Sequence, residues 1–413
     1  MDRTPDDDGY RTPRLGTATI FLRFLRFGCV AFGGPVAQIA WLREHLVERE
    51  RWVSPERFRR TLAIYQALPG PEAHEMCCWF GMIAGGRAGA IAAGLGFMLP
   101  GFTLMMLAAW AYVHWGGAGG VAAGAFAATQ AAVAGLVVRA AWKLLGGLVH
   151  GRAGWIAAGL GAIAIAAGGH FAIPLVAGGT VMALARARRP LAAAAVALAA
   201  AVGIAWTAWP GQAHDATTVV IASTTTADPL AIFRTGLIGG LITFGGAYTA
   251  IPVMEELASG PGGWMTSSQF LDGVAIAGIL PAPLVIFATF VGYLGGGPLG
   301  GILATVGMFL PAFAFTLLGH ATLERLLARP GWHAVLDGTA AATAGMIAAT
   351  ALVILLAVTG VRAGATPTWP EPMATAIAIA AFAIAVRTKS GWVMPIVLAI
   401  SAAIGAVAAL ASG

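Results

Sequence analysis

Residues 28–39 read GCVAFGGPVAQI, and residues 240–251 read GLITFGGAYTAI. Laid over one another, Gly28 falls on Gly240 and Phe32-Gly33-Gly34 on Phe244-Gly245-Gly246. The same offset carries Trp52 onto Trp264, Phe58 onto Phe270, and Leu68-Pro69-x-Pro71 onto Leu280-Pro281-x-Pro283. After one deletion, Gly85-Gly86 matches Gly296-Gly297, Gly89 matches Gly300 and Gly96 matches Gly307. Leu99-Pro100-x-Phe102 then matches Leu310-Pro311-x-Phe313. The matched positions are mostly Gly, Pro and aromatic residues, so the two halves share a backbone shape. Internal duplication, with hydrophobic segments interrupted at matching places, points to a secondary transporter.

Composition sets the solvent. Charged residues make up 10% of the chain and hydrophobic ones 58%, and the mean hydropathy is +0.81. Soluble domains carry about 25% charge, so the chain reads as an integral membrane protein. Its start, with Asp6 to Asp8, is too polar for a signal peptide. The first hydrophobic stretch, from near Thr17, is expected to act as the insertion signal. The net charge of +6 sits in loops and reads as topology, which argues against nucleic-acid binding. Cys29, Cys77 and Cys78 lie in apolar segments without zinc spacing and read as small buried hydrophobes.

Plain hydrophobic spans run over roughly 88–115, 120–145, 154–168, 171–185, 190–209, 299–323, 333–358, 372–386 and 392–411. Four more segments are broken mid-way by Gly or Pro: 17–41, 61–86, 230–254 and 269–294. The expected fold class is an all-α polytopic membrane protein. It has two inverted-topology repeats whose broken or re-entrant helices meet near the midplane. The expected parts are a cytoplasmic tail (1–16), a first repeat (17–187), a linker helix with an external loop (188–229) and an inverted second repeat (230–413). The span at 190–209 is the odd element that turns the second half over.

Charge placement orients this plan. Arg11, Arg14, Arg139, Lys143, Arg152, Arg186, Arg188, Arg189, Arg325, Arg329, Arg387 and Lys389 all come out cytoplasmic if the N-terminus is inside. The C-terminus is then external. The loop WLREHLVERERWVSPERFRR at 41–60 obeys the rule only if 17–41 enters and turns back. Its counterpart, EELASGPGGWMTSS at 255–268, carries no Lys or Arg, as an external loop should. Re-entrant hairpins are therefore favoured over spanning helices.

Irregular backbone at membrane depth needs protein or a watery cavity around it. Gly33-Gly34 permits a turn and Pro35 suits a first helical position; Pro69-Gly70-Pro71 repeats that logic. In the second half the helix starts are expected at Gly245-Gly246-Ala247 and Pro281-Ala282-Pro283. A helix start offers free N–H groups and partial positive charge, so four of them would cage a small oxyanion.

The set G-x-x-x-F-G-G-P, a loop with a Trp, L-P-G-P, G-G-x-x-G and F-M-L-P-G-F resembles the chromate ion transporter family, long-chain bidomain type. The resemblance covers about 20–115 and 232–325. It implies chromate efflux from the bacterial cytoplasm, driven by the membrane potential or the proton gradient, and hence chromate resistance. It places substrate contacts at Phe32, Gly33, Gly34, Pro35, Pro69, Gly70 and Pro71, and at Phe244, Gly245 and Gly246. The second half departs from the pattern, with Ala282 between its prolines and Ala247 after its glycines.

Polar residues complete the candidate site. Glu72, His74 and Glu75 follow Pro71 in an apolar segment, whereas Leu284, Ile286 and Phe287 stand in the second half. Intramembrane ionisable residues are costly and functional by default, so these three are candidates for proton coupling. Arg26, deeper than Arg23 in the first arm, offers a planar fork for a tetrahedral dianion. Gln38 and Tyr248 flank the Gly-Gly turns as hydrogen-bond donors, with Thr243 and Thr249 as weaker candidates. Arg139 and Asp337 lie within or near spans and form a candidate pair that the sequence alone does not decide. Sulfate shares the charge and shape of chromate and remains an alternative substrate, and an anion channel an alternative class. An enzyme is not expected, since no flavin, nucleotide, haem or iron–sulfur pattern is present. No cofactor or metal is expected; the bilayer and the oxyanion are the partners, and a homodimer is left open.

Overall fold

The computed structural model describes residues 10–32, 34–115, 121–207, 227–243, 247–260, 262–318, 330–358, 371–388 and 393–412. Gly33, Phe244, Gly245 and Gly246 lie outside these residues, as do Arg325, Arg329, Lys389 and nearly all of the 211–229 loop. Among the described residues there is no strand. The first-half helices are α1 (Thr17–Cys29), α2 (Gly34–Leu42), α3 (Pro55–Ala67), α4 (Glu72–Trp115), α5 (Val121–Leu148), α6 (Gly151–Ala167) and α7 (Ala172–Arg186). After α8 (Pro190–Thr207) come α9 (Pro229–Leu241), α10 (Ile251–Ser259), α11 (Ser267–Ile279), α12 (Phe287–Leu318), α13 (Pro330–Val358), α14 (Glu371–Arg387) and α15 (Val393–Ser412). Among the described residues, five helical stretches are long and apolar enough to cross a membrane: Glu72–His114, Gly124–Leu148, Pro190–Thr207, Leu284–Leu318 and His333–Val353.

Each interrupted segment is broken where the sequence places the break. Among the described residues the chain is out of α-helix at 30–32, 68–71, 242–243 and 280–283. The 13-residue helices α1, α3, α9 and α11 rise only about 20 Å each, short of a bilayer core of about 30 Å. They are half-spans that carry the chain to a tip. A π-helical stretch, Arg43–Arg49, extends α2 on the way back.

Backbone hydrogen bonds show that the chain returns to where it entered. Arg11 N donates to Arg51 O at 2.9 Å, and Thr12 Oγ1 to Trp52 O at 2.8 Å. Leu15 N donates to Ala84 O at 3.1 Å. The start of α1, the loop after α2 and the end of the first arm of α4 therefore sit together. The second half repeats the last of these bonds at the equivalent residues, Ala227 N to Gly295 O at 2.8 Å. Trp264 Nε1 donates to Val291 O at 2.9 Å and ties the equivalent loop to the same turn.

That turn is sharp. Gly85 (φ −145°, ψ 19°) and Gly86 (φ 65°, ψ −157°) divide α4 into arms 72–84 and 87–115. Gly296 (φ −152°, ψ 28°) and Gly297 (φ 59°, ψ −150°) divide α12 in the same way. A positive φ is what glycine supplies. The arms fold back closely, so that a Cβ on Gly81 would meet the Gly89 carbonyl, and one on Gly292 the Gly300 carbonyl. Residues eight apart in a straight helix are about 12 Å from each other. α1 then lies on the second arm of α4, with Gly28 against Phe97 and Pro100; α9 lies on α12, with Gly240 against Met308 and Pro311. The offset between Gly81 and Gly292 is already the shorter one, so the missing residue falls near the 3₁₀ turn Leu284–Ile286, which precedes α12 and has no counterpart before α4.

The halves meet along the second arms of α4 and α12. Gly94 touches Phe313, while Gly301 touches Met106. Sequence number rises along one arm as it falls along the other, so the arms lie antiparallel. The remaining helices are exchanged. α5 packs on α14 and α15 of the second half, and α13 packs on α6 and α7 of the first. Arg186 pairs with Asp337 across this seam, which corrects the Arg139–Asp337 expectation: α13 lies along α7 and brings Asp337 to Arg186. α8 is the least covered of the long spans, with Leu191, Leu198, Val202 and Trp206 turned outward.

Candidate functional site

The tips converge. Gly70 N donates to Thr243 O at 2.7 Å, which joins the second break of the first half to the first break of the second. Ala282, at the last tip, lies against Gly101 on the second arm of α4. At the first tip, Gln38 Nε2 donates to Ala31 O at 2.8 Å from a buried position on α2. Ala31 and Thr243 are equivalent residues, so each first tip has its carbonyl satisfied by a neighbour of a different kind. Phe32 and Pro35 are half-buried beside the break, and Gly34 opens α2. Tyr248 lies in the 3₁₀ turn Ala247–Ala250, and its side chain is outside the described set.

Glu72, His74 and Glu75 are brought together at the second tip, with relative exposures of 5%, 0% and 0%. Gln66 Nε2 donates to Glu72 Oε2 at 3.3 Å, and the Lys143 charge on α5 acts on the same carboxyl. His74 Nδ1 faces Cys78 Sγ at 3.7 Å, with Gly94 beside the ring. The ring centroid is 4.8 Å from that of Phe309 and 4.7 Å from that of Phe313, so α12 roofs the imidazole. Glu75 points back under Pro69-Gly70-Pro71. Gly70 has φ +151°, and a Cβ there would stand 2.6 Å from Glu75 Oε1. Neither Glu75 oxygen has a hydrogen-bond partner among the described residues. Tyr65 and Cys78 flank this carboxyl, and the Tyr65 hydroxyl lies beside Thr316 on α12.

Arg23 is engaged elsewhere: it pairs with Glu50 and lies 5.0 Å over the Trp52 ring. Arg26, in the last turn of α1, is exposed and not turned into the cluster. Tyr65, Gln66 and Thr316 escaped the sequence reading. Gln66, six residues before Glu72, is the one that a scan of polar residues around the break could have found. No group of three or more His, Cys, Asp or Glu among the described residues is arranged to hold a metal ion.

This arrangement defines a class: a multi-pass membrane transport protein, with a duplicated set of broken helices meeting around a buried ionisable cluster. The particular family follows from comparison. The profile of the chromate transporter family matches residues 18–227 and 230–406. A chromate transport protein of Pseudomonas aeruginosa is 48% identical over 345 residues, 82% of this chain and 81% of the relative. One from Cupriavidus metallidurans is 30% identical over 86% of each chain, and a probable chromate transport protein of Synechococcus elongatus is 29% identical over 80% of this chain and 82% of its own. No solved structure matches. The chain belongs to the chromate transporter family and is a transport protein, not an enzyme.

Proposed function

We propose that the protein exports chromate from the bacterial cytoplasm, coupled to the proton gradient or the membrane potential, and so confers chromate resistance. The tips form the anion site: Phe32, Gly33, Gly34, Pro35 and Gln38, Pro69, Gly70 and Pro71, and Phe244, Gly245, Gly246 and Tyr248. Arg26 draws the dianion toward it. Glu72, His74 and Glu75 handle protons. The observation that carries this reading is the Gly70–Thr243 bond, which brings breaks from both halves to one place beside a buried Glu-x-His-Glu cluster. A buried carboxyl without partners is costly unless it binds a proton. Glu75 has that character, and a dianion nearby favours its neutral form.

The antiparallel arms of α4 and α12 support repeats of inverted topology, with residues 17–187 and 230–413 joined by the linker at 188–229. With the N-terminus cytoplasmic, loop 41–60 is internal, loop 255–268 external and the C-terminus external in the inner membrane. Inverted repeats around a midplane site are the architecture of alternating access.

The test is radiolabelled chromate uptake into proteoliposomes under an imposed pH gradient or membrane potential. Saturable uptake that collapses with the gradient is expected; uptake equal to empty vesicles overturns the reading. Added sulfate sets the selectivity: competition at a concentration equal to that of chromate would make the substrate tetrahedral dianions in general. For topology, Glu48→Cys and Ser259→Cys are placed in a background lacking Cys29, Cys77 and Cys78. An impermeant reagent added outside should label the second and not the first.

A further inference from the structure

The second half is apolar at its Pro-x-Pro tip, yet it holds a buried carboxylate at the other end of α11. Asp272, in the second turn of α11, is 5% exposed. Tyr112 Oη donates to its Oδ2 at 2.7 Å, and Gln130 Nε2 donates to its Oδ1 at 2.7 Å. Gln130 Nε2 also donates to Ser268 Oγ at 3.0 Å. Tyr112 ends α4 and Gln130 lies on α5, so both donors come from the first half and the acceptor from the second. The equivalent of Asp272 in the first half is Arg60, on the loop side of α3, so the arrangement exists once.

A donor on each oxygen is the setting of an ionised carboxylate. A protonated carboxyl must donate from one oxygen, and an amide N–H cannot accept. A proton on Oδ1 therefore weakens the Gln130 bond, because a neutral carboxyl accepts less strongly and its O–H must turn away from the amide, and a proton on Oδ2 requires the Tyr112 hydroxyl to accept where it now donates. We propose that Asp272 is a second proton-binding residue of the transport cycle, outside the tip cluster. Its ionised form holds α11 to α4 and α5 through charge-assisted hydrogen bonds, and its protonation loosens that seam. This rests on the coupled-transport reading above, and it gives the second half the titratable group that its Pro-x-Pro tip lacks.

The neighbours leave room for this assignment. α11 packs on α4, α5, α10, α12 and α15 and on the turn Leu284–Ile286. The titratable or charged groups nearest on these elements are Tyr112 and His114 on α4, Arg139 and Lys143 on α5, Glu255 and Glu256 on α10, and Tyr293 on α12. Glu255 lies beside Ser267 at the start of α11. α15 and the turn carry no titratable residue. The carboxylate's hydrogen bonds among the described residues go to Tyr112 and Gln130.

Hydrogen exchange of the purified protein in lipid nanodiscs reads the seam without any substrate. After correction for the intrinsic pH dependence of exchange, wild-type protection over 267–279 should fall about threefold or more from alkaline to acidic buffer. Asp272→Asn should show the low protection at both. Tyr112→Phe removes one donor from the anion, so its transition should move to higher pH. A pH-independent wild type, an Asp272→Asn protein that keeps the wild-type response, or an unmoved transition in Tyr112→Phe overturns the proposal. Chromate flux of the same preparation separates the two readings. Flux with no pH response of α11 sinks the seam alone, and a pH response without wild-type flux sinks the transport reading alone.

Discussion

The two Pro-x-Pro tips have the same backbone plan and opposite chemistry. In the first half, Pro69-Gly70-Pro71 runs directly into α4 and covers Glu72, His74 and Glu75. In the second, Pro281-Ala282-Pro283 runs into a 3₁₀ turn of Leu284, Val285 and Ile286, all buried. Around both, the Gly-Gly turns, the packing of α1 on α4 and of α9 on α12, and the bond from the residue before the first half-helix are alike. A duplicated scaffold fixes where the tips meet. It leaves the side chains free to divide the labour, with ionisable groups on one side and an apolar wall on the other.

Exchanging residues between equivalent places sharpens this contrast. The largest effect is expected at Gly70. Gly70→Ala combines an unfavourable φ with a Cβ against the Glu75 carboxyl, and should abolish chromate transport at a cost of about 1–3 kcal/mol in stability. Ala282→Gly, the reverse change at the matching residue, should retain transport and cost about 1 kcal/mol, seen as a small drop in thermal unfolding temperature. Equal losses from the two changes would mean that the tips are interchangeable.

Next comes Glu75. Glu75→Gln keeps the shape and removes the proton site, so gradient-driven flux should fall about tenfold or more while thermal stability holds or rises. Unchanged flux would reduce Glu75 to packing. Glu72 and His74 should do less. Glu72→Gln should keep chromate affinity and flatten the pH profile of transport, because the neutral form is fixed. His74→Ala should weaken chromate binding in acidic buffer only, if the imidazolium holds the anion. An unaltered pH profile and affinity in Glu72→Gln would leave that residue as a helix cap.

The smallest contrast lies in the loops. Trp264 bonds the Val291 carbonyl across to α12, whereas Trp52 bonds Glu50 within its own loop. Trp264→Phe should cost about 1 kcal/mol, and Trp52→Phe less, by thermal unfolding of purified protein.

Much of the fold was legible because its signals are local. Gly85-Gly86, Pro69-Gly70-Pro71 and their copies are backbone instructions, and the half-helices between them are bounded by Ser54 and Thr266, which cap α3 and α11 at equivalent positions. The ionisable cluster stood out because charge in an apolar run is rare. What stayed hidden depends on distant packing. Nothing near Asp337 in sequence names Arg186 as its partner, nor Thr316 as the neighbour of Tyr65. Asp272 was passed over because α11 read as one arm of a hairpin, with its donors 142 and 160 residues away.

The crossed packing of α5 on α14 and α15, and of α13 on α6 and α7, has a consequence for ancestry and for engineering. A chain ending after α7 would hold an α5 without its two covering helices and an α6–α7 pair without the helix that packs on both. It could complete itself only by embracing another such chain, each lending the other a helix pair. A reciprocal embrace of that kind is a twofold, self-complementary contact. A half-length chain with this crossing would work as an intertwined pair, and if the second half is inverted, a single added crossing such as α8 would let one gene write both partners. Severed at α8, the two pieces should find each other again when made together in one cell, and neither should persist alone.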